Sequence, residues 1–274
     1  MIPAAGEPEP IHPGSEPLGP AGVAAAAALA AFLAHDDYPC VGAKSALARG
    51  SCVLGIFQDS SRRDAHRNAQ PLVDALTWFA GNAERFDDGY ATFLAVFEDA
   101  VISDDDAFEC FVWQTLQALH DRDAEPWDDA VGSDPAEPDF RFSVGGHAFF
   151  VVGLHPRATR QARRFPYPTL VFNLHTQFEK LRDAQQFERV RTVIRDREER
   201  LEGEPNPLLA DHGTVSEAHQ YAGRAHGIGW RPPFTVRPGR CPFDMAGTRG
   251  QARGNTPAHA SAQTPENTPG RTRS

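Results

Sequence analysis

Three histidines and four arginines crowd one segment of this chain, Ser143–Phe178, SVGGHAFFVVGLHPRATRQARRFPYPTLVFNLHTQF. His147, His155 and His175 stand at the ends of two apolar runs. An imidazole leaving a strand end can ligate a metal or carry a proton. Pro156 follows His155 directly; it removes a backbone donor and stiffens the turn, so the His155 ring leaves the sheet in a fixed direction. The same ring could instead cap the turn by hydrogen bonding. Arg157, Arg160, Arg163 and Arg164 come next, and Arg157, Arg160 and Arg164 share a face at helical spacing. Such a cluster binds carboxylates or phosphates through paired N–H groups, or it is a solvated basic face. Three histidines could hold zinc. Their separations of 8 and 20 residues contain no helical H-x-x-x-H.

A second group lies near the N-terminus. Cys40 sits in YPCVGAK, with Lys44 four residues on. A thiol beside a lysine can be a nucleophile or a heme thiolate, and the bland alternative is a buried structural cysteine. Lys44 could pair with an anionic ligand group or simply be solvated. Asp211, His212, Glu217 and His219 gather in NPLLADHGTVSEAHQYAGR, where acids beside histidines suggest general-base chemistry. No G-x-S-x-G, Walker A or G-x-G-x-x-G motif accompanies them.

These residues need elements to hold them. Cys52–Phe57, Thr92–Phe97, Ala148–Leu154 and Thr169–Leu174 are short runs rich in aromatic and β-branched residues, apolar on both faces in part, and read as strands. Helices are expected at Val23–Leu33, packed on the core; from Pro71 onward, with Pro71 in the first turn; after Ser103 as N-cap; and over Gln185–Leu201 as a solvated surface helix. The fold expected is α+β or α/β, a single domain with a small helix-covered sheet.

With 274 residues the chain can bury an ordinary core. A formal charge of −10 argues against a nucleic-acid binder, which needs basic surface to neutralise phosphates. The apolar run Val23–Leu33 is too short to span a bilayer, and acidic rather than basic residues precede it. Four cysteines without a C-x-x-C pair fit a reduced cytoplasm better than a disulfide scaffold. Residues 1–20 and 244–274 read as disordered tails, the second lacking Val, Ile, Leu, Phe, Trp and Tyr, which leaves 21–243 as the folded domain.

Several blocks together resemble the YqcI/YcgG family: YPCVGAKSALARG (Tyr38–Gly50), WQTLQALH (Trp113–His120), SDPAEPDFRFSVGGHAFFVVGLHP (Ser133–Pro156), RRFPYPTLVFNLHTQFEKLR (Arg163–Arg182), and NPLLADHGTVSEAHQYAGR followed by Trp230 and Pro233–Phe234. The chain departs from the expected pattern at His147 and at Arg231–Pro232. Family members with assigned roles look like heme-dependent N-oxygenases of guanidine compounds, such as the pre-guanitoxin N-hydroxylase and the L-arginine N-hydroxylase of D-cycloserine biosynthesis. This chain is most similar to the latter. The resemblance implies noncovalent heme b, dioxygen or peroxide, an electron donor, and hydroxylation of a guanidino nitrogen of L-arginine or a related guanidine, in antibiotic biosynthesis. It implies His155 as axial ligand, with His175 and Cys40 next, and Arg160, Arg164 and Lys44 near the cofactor's anionic groups. Asp59, Glu98 and Asp211 are the carboxylates expected to meet the substrate guanidinium. A heme or diatomic-gas binding protein without catalysis, and a zinc hydrolase using His147, His155 and His175, are the alternatives.

Overall fold

Every residue of Thr92–Val96 is buried, which a strand achieves only when both faces of its sheet are covered. The computed structural model explains how. It describes residues 19–59, 65–85, 90–183, 187–204, 206, 215–227 and 229–236. The chain divides into Met1–Gly239 and Arg240–Ser274, and all of the described residues belong to the first unit. Apart from Gly19 and Pro20, the expected tails lie outside the described residues.

Five strands form one mixed sheet in the order β1-β2-β5-β4-β3. They are β1 Cys52–Ile56, β2 Thr92–Val96, β3 Phe142–Val144, β4 His147–Leu154 and β5 Thr169–Leu174. Only β1 and β2 pair in parallel; the remaining neighbours are antiparallel. A parallel pair needs a long crossover, and α3 (Ala65–Gly81) supplies it. β3 and β4 meet across Gly145–Gly146, which have φ of 62° and 75°. Two consecutive left-handed residues make the tight hairpin turn whose twist suits the strands, and glycine takes that backbone without cost.

Side chains alternate along each strand and so sort into two layers. Phe93, Ala95, Phe149, Val151, Leu170 and Phe172 point to one side. There they pack on α3 through Leu72, Leu76 and Phe79, and on α4 (Asp105–Arg122) through Phe108, Val112 and Leu116. Each such buried Phe or Leu contributes roughly 1.5–3 kcal/mol. Leu54, Leu94, Val96 and Leu154 join the other layer, with α1 (Pro20–Leu33) and α2 (Val41–Arg49). α5 (His175–Asp183) follows β5 directly, α6 (Phe187–Glu202) packs on it, and the single turn α7 (Ala218–Tyr221) rests on β4. Among the described residues no helix is long and apolar enough to cross a membrane.

The architecture is α+β, as the sequence suggests, and the four expected strands are present. β3 is an addition. Asp104, not Ser103, caps α4: its carboxylate accepts the Ala107 N–H at 2.8 Å, while Ser103 donates to Asp104. Pro71 lies inside α3, beyond its first turn. Arg157, Arg160 and Arg164 share no helical face, because the segment holds only a 3-10 turn at Gln161–Arg163.

Candidate functional site

A cavity of about 360 Å³ lies between one face of the sheet and the helices above it, within the range of small-molecule and cofactor sites. Alternation builds its floor. Thr92 and Leu94 of β2, Phe150 and Val152 of β4, and Val171 and Asn173 of β5 all point this way while their neighbours enter the core. Leu29, Phe32 and Leu33 of α1 and Val190 and Ile194 of α6 close it above. The helix expected over Gln185–Leu201, described from Phe187 as α6, is therefore not merely a solvated surface element; Val190 and Ile194 make it a cavity wall.

Cys40 stands at the N-terminus of α2, where its Sγ accepts the Ala43 N–H at 3.3 Å. Burial pushes this thiol's pKa up, against the pull of the Ala43 and Gly42 amides and of the Arg163 guanidinium. Tyr38, on the same wall, is also raised by burial. Arg163 borders the cavity too. Its Nη1 donates to the Gly153 carbonyl at 3.0 Å and its Nη2 to the Gln220 carbonyl at 3.1 Å. Cys40 and Arg163 are tightly packed yet keep part of their surface accessible, as side chains bordering a cavity do.

Two buried carboxylates share the lining. Glu198 receives both Nε and Nη2 of Arg160 on its Oε1, at 3.1 and 3.0 Å, so its Oε2 has no hydrogen bond among the described residues. Glu217 accepts the Tyr221 hydroxyl at 2.7 Å and lies 2.9 Å from Arg141 Nε, another lining residue. Along Asn173, His175 and Gln177, alternate side chains all border the cavity as β5 gives way to α5. Gln177 donates to the Ala91 carbonyl at 2.8 Å, and His175 Nε2 lies 3.4 Å from Glu179. Thr92 pairs with Asn173 across the strands, and its buried Oγ1 has no hydrogen-bond partner among the described residues.

All of the cavity's lining residues, from Leu29 to Gln220, fall within the stretch of chain that carries a family likeness. Residues 29–235 match the YqcI/YcgG family. The chain belongs to that family. It is 26% identical over 189 residues to the "Uncharacterized protein YqcI" of Bacillus subtilis (strain 168), covering 65% of this chain and 72% of the relative. It is 24% identical over 185 residues to the "Uncharacterized protein YcgG" of the same strain, with the same coverage. No solved structure matches.

In this YqcI/YcgG protein, the residues singled out from sequence are dispersed. His155 does not border the cavity. It is 1% exposed, its ring stacks on Phe108 at 4.2 Å, and its Nε2 meets Asp105 at 3.0 Å. The pKa of His155 is lowered by burial, with Asp105 opposing the shift. Arg160 is committed to Glu198, and Arg164 donates to the Ala158 and Thr159 carbonyls. Lys44 donates to the His35 and Asp36 carbonyls just beyond α1. Asp59 is buried beside Asp99, Glu98 is exposed in the turn after β2, and neither reaches the cavity. Asp211 lies outside the described residues. His147 is exposed at the start of β4, and the three histidines form no group that could hold a metal among the described residues. Of the expected ligands only Cys40 and His175 face the cavity. Arg163 was named from sequence only within the arginine cluster, and Glu198, Arg141, Asn173 and Gln177 were not chosen. The period-two run N-x-H-x-Q was the available signal for the last two.

Proposed function

We propose that this protein is a heme-dependent N-oxygenase of guanidine compounds, with L-arginine as substrate, and that heme b occupies the cavity with Cys40 as its axial ligand. The observation that carries the reading is the placement of Cys40. Its thiol stands at a helix N-terminus, receives a backbone N–H and lies near the Arg163 guanidinium; burial holds it protonated, and these contacts would steady the thiolate once a metal displaced the proton. The donor set and the apolar walls suit a porphyrin, and the family resemblance supports the choice of heme.

Bound heme would supply the oxidising power, drawn from dioxygen or peroxide with electrons from a separate donor. The chain's own residues do the rest. Leu94, Phe150, Val152 and Ile194 exclude water. The substrate guanidinium meets a carboxylate of the cavity wall, Glu198 or Glu217, in place of Asp59 or Glu98. Arg160 and Arg164, already spent on protein acceptors, hold the loop and not the cofactor. The product, N-omega-hydroxy-L-arginine, suits an antibiotic-type biosynthesis. Free thiols at Cys40, Cys52 and Cys110 accord with a cytoplasmic setting.

The test is the spectrum of the reduced, carbon-monoxide-bound protein, followed by turnover of L-arginine. A strongly red-shifted Soret band that Cys40→Ser abolishes, together with N-hydroxy-arginine by mass spectrometry, is expected. A colourless protein ends the heme account. A histidine-type band unaltered in Cys40→Ser moves the ligand to His175.

A further inference from the structure

Two arginines that border or flank the cavity are held by carboxylates, and a third is held by carbonyls. Arg141 lies on Glu217, and Arg160 lies on Glu198. Arg163 has no carboxylate hydrogen bond among the described residues; its two bonds go to the backbone carbonyls of Gly153 and Gln220. Carbonyls fix the arm's direction but do not neutralise it. A guanidinium does not lose its proton in a protein, so the charge stays. A charge withdrawn from water is costly unless it meets a counter-charge.

We infer that Arg163 is the cavity's receiving site for a carboxylate of the bound ligand. A guanidinium has five N–H donors in a planar fork, and the two named bonds leave others for the cavity that Arg163 borders. The anchoring carbonyls come from β4 and from α7, so the fork is set between two elements before any ligand arrives. Gly223, at φ 76°, sits directly against it; a side chain there would press on the Arg163 head. Glu198, which also borders the cavity, acts on Arg163 through its charge, but no hydrogen bond among the described residues joins the two and Arg160 holds its Oε1, so the open donors of Arg163 are not taken by it.

The assignment rests on the function proposed above for its two candidate carboxylates: a heme propionate and the α-carboxylate of L-arginine. Two titrations separate them, each in the wild type and in Arg163→Gln. The apo-protein is titrated with heme and with heme dimethyl ester, and the heme-loaded protein with L-arginine and with agmatine, which lacks the carboxylate. A propionate on Arg163 makes the ester bind at least about tenfold more weakly than heme, the scale of one charge-assisted hydrogen bond. An α-carboxylate makes agmatine weaker than L-arginine by a similar factor. In either case the penalty vanishes in Arg163→Gln and largely persists in Arg163→Lys. Equal affinities within both wild-type pairs, or a penalty undiminished in Arg163→Gln, overturn the assignment. Should the variants not fold, the wild-type pairs alone decide it. A protein that takes up no heme defeats the proposed function instead; the arginine and agmatine comparison, read as the shift in Tm of the apo-protein, then decides the role of Arg163.

Discussion

Nε2 of His155 lies 3.0 Å from Oδ1 of Asp105, while the ring's Nδ1 is buried with no hydrogen-bond partner among the described residues. Asp105 opens α4 and also accepts the Thr159 N–H at 3.3 Å. The contact therefore ties the loop after β4 to the start of a core helix. Replacing His155 with Ala removes a stacked ring and a charged hydrogen bond at a site that is 1% exposed. The expected loss is roughly 1–3 kcal/mol of stability, measured by urea unfolding, with the absorption of bound heme unchanged. A folded His155→Ala protein with an altered Soret band would restore His155 as ligand.

The same residue makes stability depend on pH. Its folded pKa lies below the ordinary 6.5, chiefly because of burial, so the unfolded chain binds the proton more readily. Stability is fully present above that value and is lost as pH falls toward the folded pKa. His219 is lowered in the same direction by burial and by His226, and adds to the effect. Tm measured from about pH 8 down to about pH 5 should fall below roughly pH 6.5, and His155→Gln should flatten part of the slope. An unaltered slope in a folded His155→Gln would show that other groups carry it.

Tyr221 joins two parts of the fold through one oxygen. Its hydroxyl donates to Glu217 at 2.7 Å and accepts the Phe142 N–H at 3.1 Å. Tyr221→Phe leaves both partners short of a bond in a buried place, with an expected cost of roughly 1–3 kcal/mol. Thermal melts of the two proteins give the difference. A Tm unchanged by the substitution would mean that water replaces the hydroxyl.

The thiols should separate by reactivity. Cys52 is 3% exposed, and burial pushes its pKa up to about 12, whereas Cys110 is exposed on α4. Alkylation of the native protein at mildly alkaline pH, mapped by peptide mass spectrometry, should label Cys110 rapidly and Cys52 only after denaturant is added. Rapid labelling of native Cys52 would contradict the packing of β1.

Much of the fold is readable from local pattern. β5 begins and ends where its aromatic and β-branched run does, at Thr169 and Leu174. β3 escapes notice because three residues carry too little pattern, and it exists through pairing with β4. The site was harder to read. His155 looks free in the sequence because its partner Asp105 lies 50 residues away. Arg160 looks free because Glu198 follows 38 residues later. Val190 and Ile194 are outnumbered by charges on α6, so their stripe reads as surface until a sheet face is set beneath it. Cys40 and His175 were visible by chemistry alone, and what the structure adds is that they border one space.

The walls of that space are far apart along the chain: Cys40, Thr92, Arg163, His175, Glu198 and Gln220 all contribute. During synthesis α6 and the Gln220 carbonyl emerge last. Until they leave the ribosome, Arg163 lacks one of its two anchors and the chamber lacks a side. Completing the chamber is thus a late event in the protein's biogenesis, and a nascent chain halted before α6 would have the complete sheet but a chamber open on one side.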